Sequence, residues 1–285
     1  VEELLQTRSA LPPGAGVPLP PGALPVTFDR VSFAYPAPGG SPPRVLHELS
    51  LHLEPGTVLG VLGRTGSGKS TLARLLLRFY DPQQGRVCLG GVDLRHASLE
   101  EVRRRVGLVT QEVQLFQATV RENLTFFDDT VPDERLRDVA RELGLGTWLA
   151  GLPQGLDTPL AARGGGLSAG EGQLLALMRV FLKDAGLIIL DEASSRLDPA
   201  TEALVEGAVD RLLRGGEAGW GAQPSARTRT AIVIAHRLAT VQRADQVLVL
   251  EAGRVVEHGQ RLALAADPTS HFARLMRAVE QGVRP

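Results

Sequence analysis

A glycine-rich segment carries the residues of this sequence that are best suited to chemistry. Residues 63–71 read Gly-Arg-Thr-Gly-Ser-Gly-Lys-Ser-Thr and fit the spacing G-x-x-x-x-G-K-[ST]. Glycines let the backbone turn so that its N–H groups converge on an anion, and the start of a following helix adds positive potential. The segment therefore predicts a loop that cradles the phosphates of a nucleotide. Its predicted lining residues are Gly63, Arg64, Thr65, Gly66, Ser67, Gly68, Lys69, Ser70 and Thr71.

Lysine is rare in this chain. Among 31 lysine and arginine residues, lysine stands only at Lys69 and Lys183. An ammonium is a compact point charge that a guanidinium does not replace in a tight loop. We therefore assign Lys69 to the β- and γ-phosphates of the nucleotide and the Ser70 hydroxyl to Mg²⁺. The alternative, a glycine-rich turn that binds nothing, leaves the placement of this lysine unexplained.

Two acidic residues directly follow the apolar run Leu187–Leu190. Such a run indicates a buried parallel strand, which would deliver Asp191 and Glu192 to the edge of the sheet where ligands bind. Asp191 is predicted to hold Mg²⁺ through water, and Glu192 is predicted to polarise the attacking water as a general base. The pair also fits the acidic start of a helix, since Ala193-Ser194 follows.

A third motif lies between these two. Residues 167–171 read Leu-Ser-Ala-Gly-Glu and precede a helical pattern. Ser168 fits an N-cap with Glu171 as its capping-box partner. The same segment fits a second anion site, at which spare N–H groups and the Ser168 hydroxyl point outward. The pattern alone leaves both interpretations open.

Strand and helix patterns alternate along most of the chain and must position these motifs. Residues 57–62 are almost continuously apolar, as in a buried parallel strand, and a helical pattern follows Gly68. Strand signals also occur at residues 26–28 and 31–35. The alternation predicts an α/β fold with a mostly parallel sheet, and a largely helical stretch from about residue 119 to 180 predicts an inserted helical subdomain.

Composition limits the classes of function. The 285 residues carry a net charge of −1, which excludes a general electrostatic grip on nucleic acid or anionic lipid. No apolar run approaches the ~20 residues that would span a bilayer. The single cysteine, Cys88, excludes an intramolecular disulfide and a cysteine-cluster metal site. We expect no nucleic-acid partner.

The order of the motifs resembles that of the ATP-binding cassette (ABC) ATPases from about residue 26 to 280. Gln111 follows the glycine-rich loop in Val-Thr-Gln-Glu-Val. The Leu-Ser-Ala-Gly-Glu segment and the acidic pair come next, and Asp198 and His236 lie beyond them. The resemblance implies a P-loop NTPase core with a mostly parallel sheet, an antiparallel β subdomain and an inserted α-helical subdomain. It implies ATP and Mg²⁺ as the bound groups.

The resemblance also implies roles for single residues. Tyr35 would stack on adenine, and its alternative is a strand residue that packs on the core. Gln111 would reach Mg²⁺ or the attacking water and sense a membrane domain. His236 would contact the γ-phosphate and hold the catalytic geometry, whereas a lone histidine after a strand is otherwise a structural residue. Together with Lys69 and Glu192, these residues form the expected catalytic set.

Three further residues are implied to act on a second cassette. Ser168 and Gly170 would contact the γ-phosphate bound to the other chain of a head-to-tail dimer, and Asp198 would lie at that interface. Closure and release of the dimer would drive a membrane domain, on the same chain or on a partner, between its inward- and outward-facing states.

The chain departs from the family pattern at a few positions. The usual Leu-Ser-Gly-Gly-Gln has Ala169 and Glu171 here, and the usual upstream glutamate is Ala162. A carboxylate near a triphosphate is unfavourable unless it turns back to cap its own helix. In heterodimeric exporters of the family, one half often pairs an intact glutamate, here Glu192, with an altered signature, so the resemblance favours a heterodimer with a second cassette over a homodimer. Ala162 puts the usual contact with the partner's membrane-domain loops in doubt.

The stretches 111–124 and 152–155 resemble the exporter branch of the family. We therefore predict the ATP-hydrolysing domain of an ABC exporter at the cytoplasmic face of the cell membrane, within an integral membrane protein. The alternatives are the ATPase of an importer and a non-transport ABC ATPase. The predicted organisation is a membrane-helix tail and proline-rich connector at 1–25, an ATPase domain at 26–260 with a helical subdomain at about 113–180, and a helical extension at 261–285.

Overall fold

A computed structural model describes residues 11–36, 42–110, 112–161, 166–183, 185–191, 198–214, 229–234 and 241–280. The strands are β1 Val26–Phe33, β2 Leu46–Leu53, β3 Val58–Leu62, β4 Gln84–Leu89, β5 Val92–Asp93, β6 Val106–Val109, β7 Leu187–Asp191, β8 Thr230–Ile234, β9 Gln246–Glu251 and β10 Arg254–Gln260. The α-helices are α1 Lys69–Leu76, α2 Leu99–Arg105, α3 Val120–Thr125, α4 Asp133–Glu142, α5 Gly146–Gly151, α6 Ala169–Leu182, α7 Pro199–Arg214, α8 Arg261–Ala266 and α9 His271–Glu280.

A six-stranded sheet in the order β10-β9-β3-β8-β7-β6 forms the centre of the fold. Strands β9, β3, β8, β7 and β6 run parallel, and β10 pairs with β9 in the antiparallel direction. Every residue of β3 and β8 is buried, which explains their unbroken apolar runs. The predicted α/β class with a mostly parallel sheet is confirmed.

A second, antiparallel sheet has the order β2-β1-β4-β5. Its first strand joins the two strand signals predicted at 26–28 and 31–35 into one element that ends at Phe33. The register with β2 shifts between Phe28 and Val31, and Arg30 within this interval has a φ of 48°. An irregularity inside one strand therefore explains why the sequence pattern indicated two.

The central sheet has a separate apolar core on each face. Along β7, Ile188 and Leu190 face a core shared with helices α3 to α7, whereas Leu187 and Ile189 face a core shared with α1 and the antiparallel sheet. This alternation follows from the period of two in a strand. The parallel sheet thus lies between the helical part of the chain and the antiparallel sheet.

The proline-rich stretch predicted as an extended connector is docked on this body. Leu24 is fully buried. The buried Arg78 guanidinium donates a hydrogen bond to the Pro12 carbonyl at 3.0 Å, and Arg105 donates one to the Gly22 carbonyl at 2.6 Å. The connector from residue 11 onward therefore packs as part of the cassette.

Within the ranges that the structure describes, none of the helices is both long and apolar enough to cross a membrane.

Candidate functional site

The glycine-rich loop joins the end of β3 to the start of α1, at the carboxyl edge of the parallel strands. Gly63 has a φ of 150° and Gly68 a φ of 106°. A Cβ atom on Gly63 would lie 2.3 Å from the Leu250 carbonyl oxygen and 2.6 Å from Ser67 Oγ. The loop backbone passes so close to its neighbours that position 63 accepts only glycine.

The start of helix α1 lacks the side-chain cap that three other helices of the cassette have. Side chains of Ser98, Thr119 and Ser168 cap α2, α3 and α6, whereas Gly68 begins α1 without a side-chain cap, and no acidic residue lies in its first turn. The buried Ser67 Oγ has no hydrogen-bond partner among the described residues. These uncompensated donors and this positive helix end fit a bound phosphate group.

Lys69 lies at the centre of the loop and is 5% exposed. Its Nζ donates hydrogen bonds to the carbonyl oxygens of Gly63 at 2.6 Å and Arg64 at 3.1 Å. Burial lowers the pKa of this ammonium, and the nearby Asp191 carboxylate acts in the opposite direction. The predicted phosphate ligand and the predicted metal ligand are therefore electrostatic neighbours.

The strand register explains this proximity. Ile234 of β8 pairs with Asp191 of β7 on one side and with Val61 of β3 on the other. The last residue of β7 therefore lies level with the residues that lead into the glycine-rich loop. On the far side of β7, Val109 of β6 pairs with Leu190, so that β6 ends at the same edge.

Three predicted catalytic residues follow the ends of these strands in the sequence. Glu192 is the next residue after β7, and Gln111 and His236 come two residues after β6 and β8. All three lie outside the described residues. The structure therefore brings together the strand ends that carry them, and their side-chain roles stay predictions.

The described residues supply few candidate protein ligands for Mg²⁺. Among these residues, no group of three or more His, Cys, Asp or Glu side chains could hold a metal ion. A site built from Ser70 and Asp191 supplies few protein ligands. This donor set fits Mg²⁺, which is usually held by one or two protein groups together with the phosphates of its nucleotide.

Tyr35 lies beside the second turn of helix α1. Its hydroxyl is 2.9 Å from Thr71 Oγ1 and accepts a hydrogen bond from Arg74 at 3.0 Å. Its ring packs edge-on against Phe33 and Tyr80, with centroid distances of 4.9 and 5.2 Å. Both interpretations of Tyr35 therefore agree with the structure, because the ring touches the aromatic core and also stands next to the phosphate loop.

Ser168 and Glu171 form both hydrogen bonds of the predicted capping box at the start of α6. Glu171 N donates to Ser168 Oγ at 3.2 Å, and Ser168 N donates to Glu171 Oε2 at 2.8 Å. The indole of Trp148 donates to the other carboxylate oxygen, Oε1, at 3.0 Å. Burial alone would raise the pKa of Glu171, but these hydrogen bonds hold that pKa below its usual value.

The capping box and the second anion site are compatible. Glu171 turns back over its own helix, as the sequence analysis required, while Ser168 is exposed to solvent. Among the described residues, no hydrogen bond or ion pair joins Ser168 or Glu171 to the loop over residues 63–71. Gly170 is buried within the first turn of α6, and Asp198, which precedes α7, acts on Glu171 with like charge.

Arg179 is a functional candidate that the sequence analysis missed. It donates hydrogen bonds to the carbonyl oxygens of Asn123 at 2.6 Å and Gln114 at 2.9 Å, and to Asn123 Oδ1 at 2.8 Å. Burial lowers the pKa of Arg179 to about 10. The only signal for it was one arginine in an otherwise apolar helical run. It ties α6 to α3 and to the segment after β6.

Three aromatic side chains are exposed next to Arg179. The exposed fractions of Phe116, Phe126 and Phe127 are 45%, 60% and 52%, and the Arg179 guanidinium lies 4.9 Å from the Phe126 ring centre. Phe116 contacts both other rings, with centroid distances of 6.1 Å to Phe126 and 5.4 Å to Phe127, so that the three rings form one exposed apolar surface of the kind found at protein-binding sites. This surface is called the aromatic patch below.

Comparison with known proteins gives the following likenesses. Residues 46–195 match the family described as ABC transporter. The chain is 43% identical over 260 residues to the mycobactin import ATP-binding/permease protein IrtA of Mycolicibacterium smegmatis, which covers 91% of this chain and 28% of that protein. It is 40% identical over 247 residues to the ATP-dependent lipid A-core flippase of Pseudomonas aeruginosa, which covers 86% of this chain and 38% of the flippase.

A solved structure shows the same likeness in three dimensions. It is a bacterial Atm1-family ABC exporter with ATP bound, with a TM-score of 0.82 and 32% sequence identity. The match covers 97% of this chain and 46% of that chain. This chain therefore spans less than half the length of each of these three proteins.

Proposed function

This chain belongs to the ABC transporter family and carries its ATP-binding ATPase domain, and we propose that it is the nucleotide-binding domain of an exporter. The observation that carries the proposal is the register of β7, β8 and β3, which places Asp191 at the sheet edge where the phosphate loop and the uncapped start of α1 also lie. The likeness to an exporter with ATP bound supports the same conclusion.

In this proposal the loop over residues 63–71 binds the triphosphate. Lys69 neutralises the β- and γ-phosphates, and Ser70 with Asp191 holds Mg²⁺. The metal supplies charge neutralisation to the leaving phosphate. Gln111 completes the metal site and orients the attacking water.

Hydrolysis itself is assigned to two residues beyond the strand ends. Glu192 accepts a proton from the attacking water, and His236 holds the γ-phosphate in line with it. The sheet supports this assignment, because β7 and β8 are neighbours and both end beside the phosphate loop.

Tyr35 is proposed to stack on the base of the nucleotide. Tyr35→Ala should weaken ATP binding by about 1–3 kcal/mol, since stacking on an aromatic ring is worth about that much per base. GTP binding should weaken equally, because every base offers a π-face. Tyr35→Phe keeps the ring and loses only the contacts of the hydroxyl, so its affinity should stay close to wild type. Titration calorimetry measures all four cases, and an equal loss in the Phe and Ala variants would exclude stacking.

We assign Ser168, Gly170 and Asp198 to a head-to-tail dimer with ATP between the chains. Ser168 is exposed and has no described contact with its own phosphate loop, which supports a role toward a second chain. ATP would join the two chains through its γ-phosphate, and hydrolysis would remove this link.

The dimer predicts how turnover depends on protein concentration. Since each site needs two chains, ATP hydrolysis should rise faster than linearly with concentration and approach proportionality once the dimer forms. A phosphate-release assay over about three decades of protein concentration, from mostly monomer to mostly dimer, measures this dependence. Strict proportionality throughout, with sedimentation showing a monomer at every concentration, would contradict a composite site between two copies of this chain.

The proposed membrane-domain partner would contact the aromatic patch. Phe116, Phe126 and Phe127 offer an apolar surface, and Arg179 connects this surface to the helix that begins after Ser168. A membrane domain bound there would place the chain at the cytoplasmic face of a membrane. Movement of the partner would reach the signature segment through α6.

The altered signature segment supports a heterodimer, in which this chain supplies the intact Glu192 and a partner supplies a second signature. Transport competence of the full-length chain alone, with two equally active sites, would contradict this proposal.

Transport into the cell is the second candidate. The 43% identical relative is named for mycobactin import, although the solved structure is an exporter. Transport assays with the full-length protein in oriented vesicles distinguish the two directions.

A further inference from the structure

The carboxylate of Glu171 has a hydrogen-bond donor on each oxygen, and the two donors come from different elements. Ser168 N belongs to the start of α6, whereas the Trp148 indole belongs to α5. Trp148 is half-buried and packs against the apolar core below the helices. The contact with the core therefore holds the indole in position. Its partner Glu171 lies 23 residues later in the sequence.

Helix α3 shows what a capping box does in this chain without such an indole. There, Glu122 Oε2 accepts hydrogen bonds from both Thr119 N at 2.7 Å and the Thr119 hydroxyl at 2.8 Å. The cap hydroxyl thus donates its proton to the capping carboxylate. In α6 the hydrogen bonds to the Glu171 carboxylate come from Ser168 N on Oε2 and from the Trp148 indole on Oε1, while Ser168 Oγ accepts a hydrogen bond from Glu171 N.

The difference matters because Ser168 is exposed and has one hydroxyl proton to donate. If the Ser168 hydroxyl donates this proton to Glu171, the hydroxyl can no longer donate it to a phosphate. A carboxylate that swings outward would also repel that phosphate, and Asp198 already adds a like charge nearby. An indole that occupies Glu171 Oε1 opposes both effects.

We propose that Trp148 is a positioning residue that holds the Glu171 carboxylate back over α6, and so leaves the Ser168 hydroxyl to the γ-phosphate of a second chain. This inference rests on the proposed function, because it needs ATP bound between two chains. It explains how a glutamate is tolerated at this position of the signature segment.

The test compares wild type, Trp148→Phe, Glu171→Gln and the double variant. Phenylalanine keeps an aromatic ring in the core and removes the N–H donor. Glutamine keeps the shape of the side chain and removes the charge, so that it neither repels a phosphate nor competes strongly for the hydroxyl proton. Trp220→Phe is the matched control, since Trp220 is the other tryptophan of the chain.

The measured quantity is the protein concentration at half-maximal turnover per chain, together with the Kd for ATP of the isolated chain. Trp148→Phe should raise that concentration by about tenfold, as expected for one lost hydrogen bond to a charged group. The Kd for ATP should not change, because Ser168 serves the other chain. In the Glu171→Gln background, Trp148→Phe should have an effect of less than about twofold.

Each contrary outcome is decisive. If Trp148→Phe equals wild type, or if the double variant is as defective as Trp148→Phe alone, Trp148 serves only packing and the inference is wrong. Melting temperatures of all variants separate a folding defect from loss of positioning, because a folding defect would not be rescued by Glu171→Gln. A wild-type chain that binds ATP yet never turns it over, either alone or mixed with a second cassette, would overturn the proposed function and this inference with it.

Discussion

Lys69→Met should abolish ATP binding at concentrations that saturate the wild-type chain. The ammonium is buried in the loop and donates two hydrogen bonds to backbone carbonyl oxygens. When ATP binds, its phosphate oxygens would replace these carbonyl oxygens as acceptors. Hydrogen bonds to charged groups contribute about 1.5–3 kcal/mol each, so that loss of the contacts to two phosphates should weaken binding at least about 100-fold. Titration calorimetry with ATP and Mg²⁺ measures the change.

The chain offers a matched control for this variant. Lys183 is the other lysine, burial also lowers its pKa, and its Nζ donates a hydrogen bond to the Val106 carbonyl at 2.9 Å. Lys183→Met removes a similar ammonium away from the loop and should leave the affinity for ATP within about twofold. Lys69→Arg should not restore binding, because a guanidinium does not fit the space of an ammonium. Equal affinities in Lys69→Met and Lys183→Met would exclude the loop as the phosphate site.

Glu192→Gln should stop turnover and preserve ATP binding. The amide has the shape of the carboxylate but cannot accept a proton from water, and loss of a general base costs about 10²–10⁴-fold in rate. In the proposed dimer, ATP then stays intact between the two chains, so the ATP-bound dimer should persist for longer than in wild type. Single-turnover hydrolysis and size-exclusion chromatography with ATP measure the two effects.

Glu251→Gln is the matched control, because it removes a carboxylate at the end of a different strand of the same sheet. Glu251 is the exposed last residue of β9, another parallel strand of the same sheet, and its loss should change turnover less than about twofold. If Glu192→Gln kept wild-type turnover, another residue would be the base. If it lost ATP binding as well, Glu192 would act in binding and not in proton transfer.

The sequence predicted those parts of the molecule that depend on local pattern. The residues around Gly63 showed a loop between a buried strand and a helix, and Ser168 with Glu171 showed a capped helix start. Both features follow from residues that lie close together in the sequence, because loop geometry and helix capping are local properties of the backbone. The sheet edge at Asp191 was predicted for the same reason, since an apolar run ended there.

Contacts between distant segments could not be predicted in this way. Arg179 and Gln114 are 65 residues apart, and Arg78 and Pro12 are 66 apart. Nothing in the local pattern of either partner indicates the other, because the contact is created by packing of whole elements. The pattern around Trp148 likewise does not indicate its hydrogen bond to Glu171, because that contact depends on how two separate helices pack.

The docking of the proline-rich connector limits the positions at which this cassette can be joined to another transporter in a chimera. Arg78 holds the backbone at Pro12 from the carboxyl end of the helix that begins at Lys69, and a Cβ atom on Gly14 would lie 1.9 Å from the Ala97 carbonyl oxygen. A chimera joined at residue 25 would replace the buried Leu24 and cut these anchors. A chimera joined before Pro12 would keep these anchors, so that the connector would stay attached close to the carboxyl end of the helix that begins at the phosphate loop.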